Sequence, residues 1–164
     1  MSNNRLTVGI LVGMVALIVG GLYLAARLST PTGVKMSQKV SASVTETTKE
    51  RGDVGINEGL LITDFLISNT GSDPLALYDV TTSCMCTVAQ VEMGSVISPE
   101  FRMGERSSYV ANVPPGEAAT IKLIFDPAFH GPNGLGSVTR QAMMRTNDPR
   151  QPKIVLTMSA NVVQ

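Results

Sequence analysis

The sequence predicts an all-β protein, an antiparallel two-sheet β-sandwich preceded by one N-terminal transmembrane helix. Two observations carry that expectation. Residues 6–26, LTVGILVGMVALIVGGLYLAA, form an uncharged apolar run bracketed by Arg5 and Arg27. From about Val54 onward, short stretches of alternating apolar and polar residues are separated by turn clusters. The boundaries implied are an anchor at 1–28, a Ser/Thr-rich stalk at 29–52 and a sandwich at 53–164.

As a helix, the 6–26 run rises about 31 Å, which matches a hydrocarbon core of roughly 30 Å. A cleaved signal peptide has a shorter apolar core and a small-x-small cleavage site. YLAARLSTP offers only a poor match to such a site, and no lipid-attachment cysteine follows it. Arg5 flanks one end, and Arg27, Lys35 and Lys39 follow the other, so positive charge does not set the orientation. Gly9, Gly13, Ala16 and Gly20 share one helical face, a pattern compatible with weak helix self-association.

The stretch STPTGVKMSQKVSASVTETTKERGD is poor in large apolar residues and reads as a stalk, with KVSASVTETT able to add an edge strand. In LLITDFLISN, Leu61, Thr63, Phe65 and Ile67 share a face opposite Asp64 and Ser68. NTGSDP is a turn, LALYDV a short strand, and CMCTVAQV another. After VPPGEAAT, the strand IKLIFD points Ile121, Leu123 and Phe125 inward and Lys122 outward. FDPAFHGPNGLG is a Pro/Gly loop, SVTRQAMMRT a strand and NDPRQP a turn. In KIVLTMSANVV, Ile154, Leu156, Met158, Ala160 and Val162 alternate with polar or smaller residues, the cleanest half-buried strand of the chain. Six to eight such strands fit a sandwich, and a jelly roll or small barrel gives similar signals.

Composition narrows the function. The 13 basic residues balance the 13 acidic ones, with no basic block and no Trp, which argues against nucleic-acid binding. Nucleophile-elbow, zincin and phosphate-loop motifs are absent, and there is a single histidine, so an enzyme is not expected. Asp126 and Asp148 each precede proline, where a carboxylate serves a turn. Arg140, inside a strand pattern, is expected at an edge or with its head group snorkelling to water.

Read in order, FLISNTGSDPLALYDVTTSCMCT, VPPGEAATIKLIFDP and TNDPRQPKIVLTMSANV resemble the bacterial domain-of-unknown-function family 1573. Its members are Ig-like domains related to the ASPM–SPD-2–Hydin and major sperm protein type. The likeness covers roughly residues 53–163. Met85 stands where the family pattern has Gly, and the segment 92–113 is longer than usual. The resemblance implies an Ig-like antiparallel β-sandwich exposed outside the cytoplasm and often tethered, and it implies no activity.

The chemistry turns on Cys84 and Cys86, the only cysteines. On a strand they project to one face with Cα atoms roughly 6.5–7 Å apart. That is wide for a relaxed disulfide unless a turn draws them together. Two thiols on one face suit Cu(I) or another soft metal, with His130 and Met103 as further ligands and Met93 in reserve. The same pair fits a thiol–disulfide redox element, or two small buried hydrophobes. The expectation is therefore a single-pass cell-membrane protein whose extracytoplasmic Ig-like domain is a non-catalytic module for an unknown protein partner. Cu(I) handling through Cys84, Cys86, His130 and Met103 is the alternative, and thiol–disulfide exchange the third.

Overall fold

The computed structural model describes residues 3–28 and 33–164, and within the N-terminal helix the side chains of residues 8–21. The chain divides into two compact units at Gly33 and Val34.

The first unit is helix α1, Asn3–Leu28. Its described side chains, Val8 to Gly21, carry no charge and are all exposed. They account for about 21 Å of helix. The ends of the apolar 6–26 run lie outside the described side chains, and among the described residues no helix is long and apolar enough to cross a membrane. A Cβ added at Gly9, Gly13 or Gly20 would meet nothing within 4 Å.

The second unit is a two-sheet sandwich. Its strands are β1 (Ala42–Val44), β2 (Thr48–Gly55), β3 (Leu61–Asn69), β4 (Leu75–Thr82) and β5 (Thr87–Met93). There follow β6 (Val96–Ile97), β7 (Val110–Val113), β8 (Ala118–Phe125), β9 (Gly136–Thr146) and β10 (Lys153–Val163). One sheet has the order β1-β3-β8-β5-β6 and the other β2-β10-β9-β4-β7. All named pairings are antiparallel except β2 with β10, which run parallel, so the wholly antiparallel expectation is corrected at that one edge.

Alternation dictates the core. In β8, Ile121, Leu123 and Phe125 point between the sheets and are buried, while Lys122 faces outward between Asp64 and Glu92. In β10, every even-numbered residue from Ile154 to Val162 is buried, and in β3 Thr63, Phe65 and Ile67 are. These three strands thus bury one face, as period-two geometry requires.

The stalk expected at 29–52 is not a stalk from Val40 onward. Val40 is fully buried and β2 lies along β10, while β1, paired with β3 at a sheet edge, is the edge strand expected within KVSASVTETT. Residues 29–32 lie outside the described residues. β2 escapes detection because of its sequence, TKERGDVG, in which only Val54 is buried. An edge strand of this kind is held by main-chain hydrogen bonds, which leave no hydropathy pattern.

The turn motifs are clamps. Buried Asn69 donates through Nδ2 to the Asp73 and Val113 carbonyls and accepts from the Gly71 N–H. A Cβ at Gly71 would fall 2.3 Å from the Lys39 carbonyl oxygen, so only glycine lets the segment before β1 pass. Asn147 accepts from the Ala76 N–H and donates to the Pro74 carbonyl, anchoring the start of β4. These side chains replace main-chain partners that the turns remove.

Strand β4 carries a register shift between Tyr78 and Thr81, where Asp79 takes a positive φ of 50°. Before the shift Leu75 and Leu77 face the core; after it Val80 and Thr82 do. A bulge changes parity in this way. Here it aims the Thr82 hydroxyl at the turn that follows.

Candidate functional site: the Cys84–Cys86 turn

Cys84 and Cys86 are not on a strand. They sit in the turn between β4 and β5, with a Cα separation of 5.2 Å and a disulfide joining them. That separation falls within the ordinary disulfide range. The strand expectation is therefore corrected, and a local hydrogen-bond network accounts for it. The Thr82 hydroxyl, itself buried, bonds the carbonyls of Cys84 and Thr87, both at 3.0 Å. The Thr87 N–H donates back to the Cys84 carbonyl at 3.2 Å, closing a β-turn with exposed Met85 at its tip.

Two further elements meet this turn. On one side, the Ser83 N–H donates to the Gln141 carbonyl, and the Gln141 N–H donates to the Ser83 hydroxyl, which seats the turn on β9. On the other, the Asp126 N–H donates to the Cys86 carbonyl at 3.0 Å. Asp126 then caps a short 3₁₀ segment, Pro127–Gly134, by accepting from the Ala128 N–H. That segment carries His130, whose ring stands edge-on to Phe129 with centroids 5.0 Å apart.

Each sulfur has its own surroundings. Cys84 is partly exposed; its Sγ accepts from the Cys86 N–H at 3.2 Å and lies 3.9 Å from His130 Nε2. Cys86 is 3% exposed. Its Sγ accepts from Arg140 Nε at 3.1 Å and lies 3.6 Å from the Thr87 hydroxyl. The Arg140 guanidinium lies over the Phe125 ring, 5.0 Å from its centroid, and a second nitrogen donates to the Thr139 carbonyl. Burial lowers the Arg140 pKa from its ordinary value. Among the described residues, no carboxylate pairs with this half-buried cation.

The structure thus brings together Cys84, Cys86 and His130, whose sulfurs and ring nitrogen lie within 4.8 Å of one another. Met103 is 44% exposed on the turn after Phe101. The Cu(I) expectation is corrected: the two sulfurs are bonded to each other, so neither offers the thiolate that a soft metal selects. The expectation of two buried hydrophobes holds for Cys86 alone.

For Arg140, expected at an edge or with a snorkelling head group, the edge is corrected. The residue is not at a sheet edge, since β9 lies between β10 and β4, and its head group is half-buried, with one terminal nitrogen bonded at the exposed Thr139 carbonyl. Parity held the signal. Ala142, Met144 and Thr146 are the buried residues of β9, and Arg140 shares their even-numbered face.

Comparison with known proteins places this site within a shared stretch. A family model described as "Protein of unknown function (DUF1573)" matches residues 42–101. No curated protein matches the chain. Among solved structures, a protein of unknown function from Porphyromonas gingivalis W83 is similar with a TM-score of 0.58 at 20% identity, covering 81% of this chain. The match takes in 51% of that protein, so the chain spans about half its length. A PapD-like domain of human CEP192 gives a TM-score of 0.47 at 12% identity, over 82% of this chain and 92% of that one. The periplasmic chaperone SfaE gives 0.42 at 10%, over 76% and 58%. At these identities the likeness concerns the fold alone. The resemblance read from the motifs is thus matched by the DUF1573 family's own model across residues 42–101, a stretch that contains both cysteines.

Proposed function

We propose that the chain is a membrane-tethered β-sandwich displayed outside the cytoplasm, a module that holds a protein partner at the membrane surface. The observation that carries this reading is a disulfide in a domain that follows an uncharged apolar segment. Disulfides persist in oxidising compartments and are rare in the cytosol. The 6–26 run has the length of a bilayer core and lies within the helix Asn3–Leu28. Edge strands β1, β6, β2 and β7 each leave one side unpaired within their sheet, which supplies main-chain donors and acceptors for a partner segment.

Two measurements in cells test it. The full chain is expected in the membrane fraction, resistant to alkaline carbonate, with its sandwich accessible to protease added to spheroplasts. A carbonate-soluble chain, or one shielded until lysis, contradicts the tether. Photocrosslinkers at Ser43 of β1 and Val96 of β6, both exposed, are expected to give a discrete protein adduct from at least one edge. Absence of adducts from both edges contradicts the binding role.

A further inference from the structure

We propose that the Cys84–Cys86 disulfide is an exchange site for substrate thiols, in which Cys84 is the sulfur attacked and Cys86 the sulfur released against Arg140. The inference goes beyond the tethered-module reading and does not rest on it.

Three observations converge. First, the bond does little as a staple. In the chain-entropy account, stabilisation grows with the loop closed, and this loop holds one intervening residue. The turn is in any case held by the Thr82 hydroxyl and the Thr87 N–H. Second, the sulfurs differ in access: Cys84 is partly exposed, whereas Cys86 is buried. An incoming thiolate therefore meets Cys84. Third, the donors are placed for a charge that the oxidised pair lacks. A disulfide sulfur is a weak acceptor, yet Arg140 Nε and the Thr87 hydroxyl both stand at Cys86 Sγ. The Phe125 ring lies beneath the guanidinium, and among the described residues no carboxylate competes for it. A thiolate at Cys86 supplies the missing counter-charge, and a charge-assisted hydrogen bond is roughly twice as strong as a neutral one. A leaving sulfur stabilised as its anion leaves faster.

The step balances as follows. A substrate thiolate attacks Cys84 Sγ, forming a substrate–Cys84 mixed disulfide and breaking the Cys84–Cys86 bond, whose electron pair goes to Cys86 Sγ beside Arg140. A second substrate thiolate attacks the substrate sulfur of the mixed disulfide and releases Cys84 Sγ, next to the Cys86 N–H and His130 Nε2. Two substrate thiols become one disulfide and the cysteine pair gains two electrons. The two substrate protons pass to the cysteine sulfurs, or to water where a sulfur stays ionised. The substrate class is a dithiol or a pair of thiols small or mobile enough to reach Cys84.

The test uses the purified full-length chain in detergent, with reduced glutathione and dithiothreitol as probes. Peptide mapping after an acid quench is expected to find glutathione on Cys84. Glutathione on Cys86, or equally on both, overturns the assignment. Arg140→Gln is expected to slow reduction by dithiothreitol about tenfold and to remove the thiolate absorbance of the reduced protein, with Arg140→Lys retaining most of both. Wild-type rate and absorbance in a folded Arg140→Gln protein overturn the role of Arg140. Should that variant fail to fold, the glutathione position in the wild-type chain decides. Because exchange is read on purified protein and tethering in cells, each proposal can fail without the other.

Discussion

Phe125→Ala is expected to lower the stability of the sandwich by about 3–5 kcal/mol, the range for removing a buried aromatic ring. Phe125 is 2% exposed at the end of β8, pairs with Leu61 of β3 and Thr87 of β5, and lies under the Arg140 guanidinium. Its loss opens a cavity in the core and removes the surface on which Arg140 rests. Phe125→Leu separates these effects, since it keeps most of the apolar volume but not the ring. Urea denaturation of both variants checks the expectation: a cost for Phe125→Ala below about 1 kcal/mol contradicts a core role.

The second large effect belongs to Asp148. Its side chain is almost fully buried and accepts from the Ala42 N–H at 2.9 Å, the Arg150 N–H at 2.9 Å and Arg150 Nε at 3.2 Å. Asp148 therefore fastens β1 to the turn between β9 and β10. Asp148→Ala is expected to cost about 2–4 kcal/mol, because it removes charge-assisted bonds and orphans partly buried donors. The pKa of this carboxyl is set by opposing influences. Burial alone raises it, and the bonds from Ala42 and Arg150 together outweigh burial and hold it below the ordinary carboxylate value. A carboxyl whose folded pKa is depressed contributes stability above its unfolded pKa of about 3.9 and loses it as pH falls through the lower folded value. The wild-type unfolding midpoint should thus fall with acid below about pH 4. Asp148→Asn should lose that part of the slope. An unchanged slope in the variant contradicts the assignment.

Much of the sandwich was legible because half-buried strands write their geometry into alternation. β3, β8 and β10 each carry buried residues at every second position, among them Thr63, Phe65, Ile67, Ile121, Leu123, Phe125 and the even-numbered face of β10 that alternation predicts, whereas Leu61 is only partly buried. β2 was not legible, since a polar edge strand is held by backbone bonds. The Cys84–Cys86 segment was misassigned for a different reason. Thr81, Thr82, Thr87 and Val88 flank it with strand-favouring side chains, while the turn depends on a hydroxyl aimed by a bulge at Asp79. The pairing of His130 with the cysteines was anticipated, but the route was not: Asp126 ties the 3₁₀ segment to the Cys86 carbonyl. Arg140 could have been found by extending the parity of β9 inward and asking what a cation on that face would meet.

Disulfide mapping of the protein after incubation with oxidised glutathione tests most directly whether Cys84 and Cys86 pair with each other in this turn. Denaturation with an alkylating reagent present, followed by peptide mass spectrometry, is predicted to yield unmodified, mutually linked Cys84 and Cys86 in a single peptide. Recovery of both cysteines as alkylated thiols, or linked to cysteines of another chain, would contradict the account.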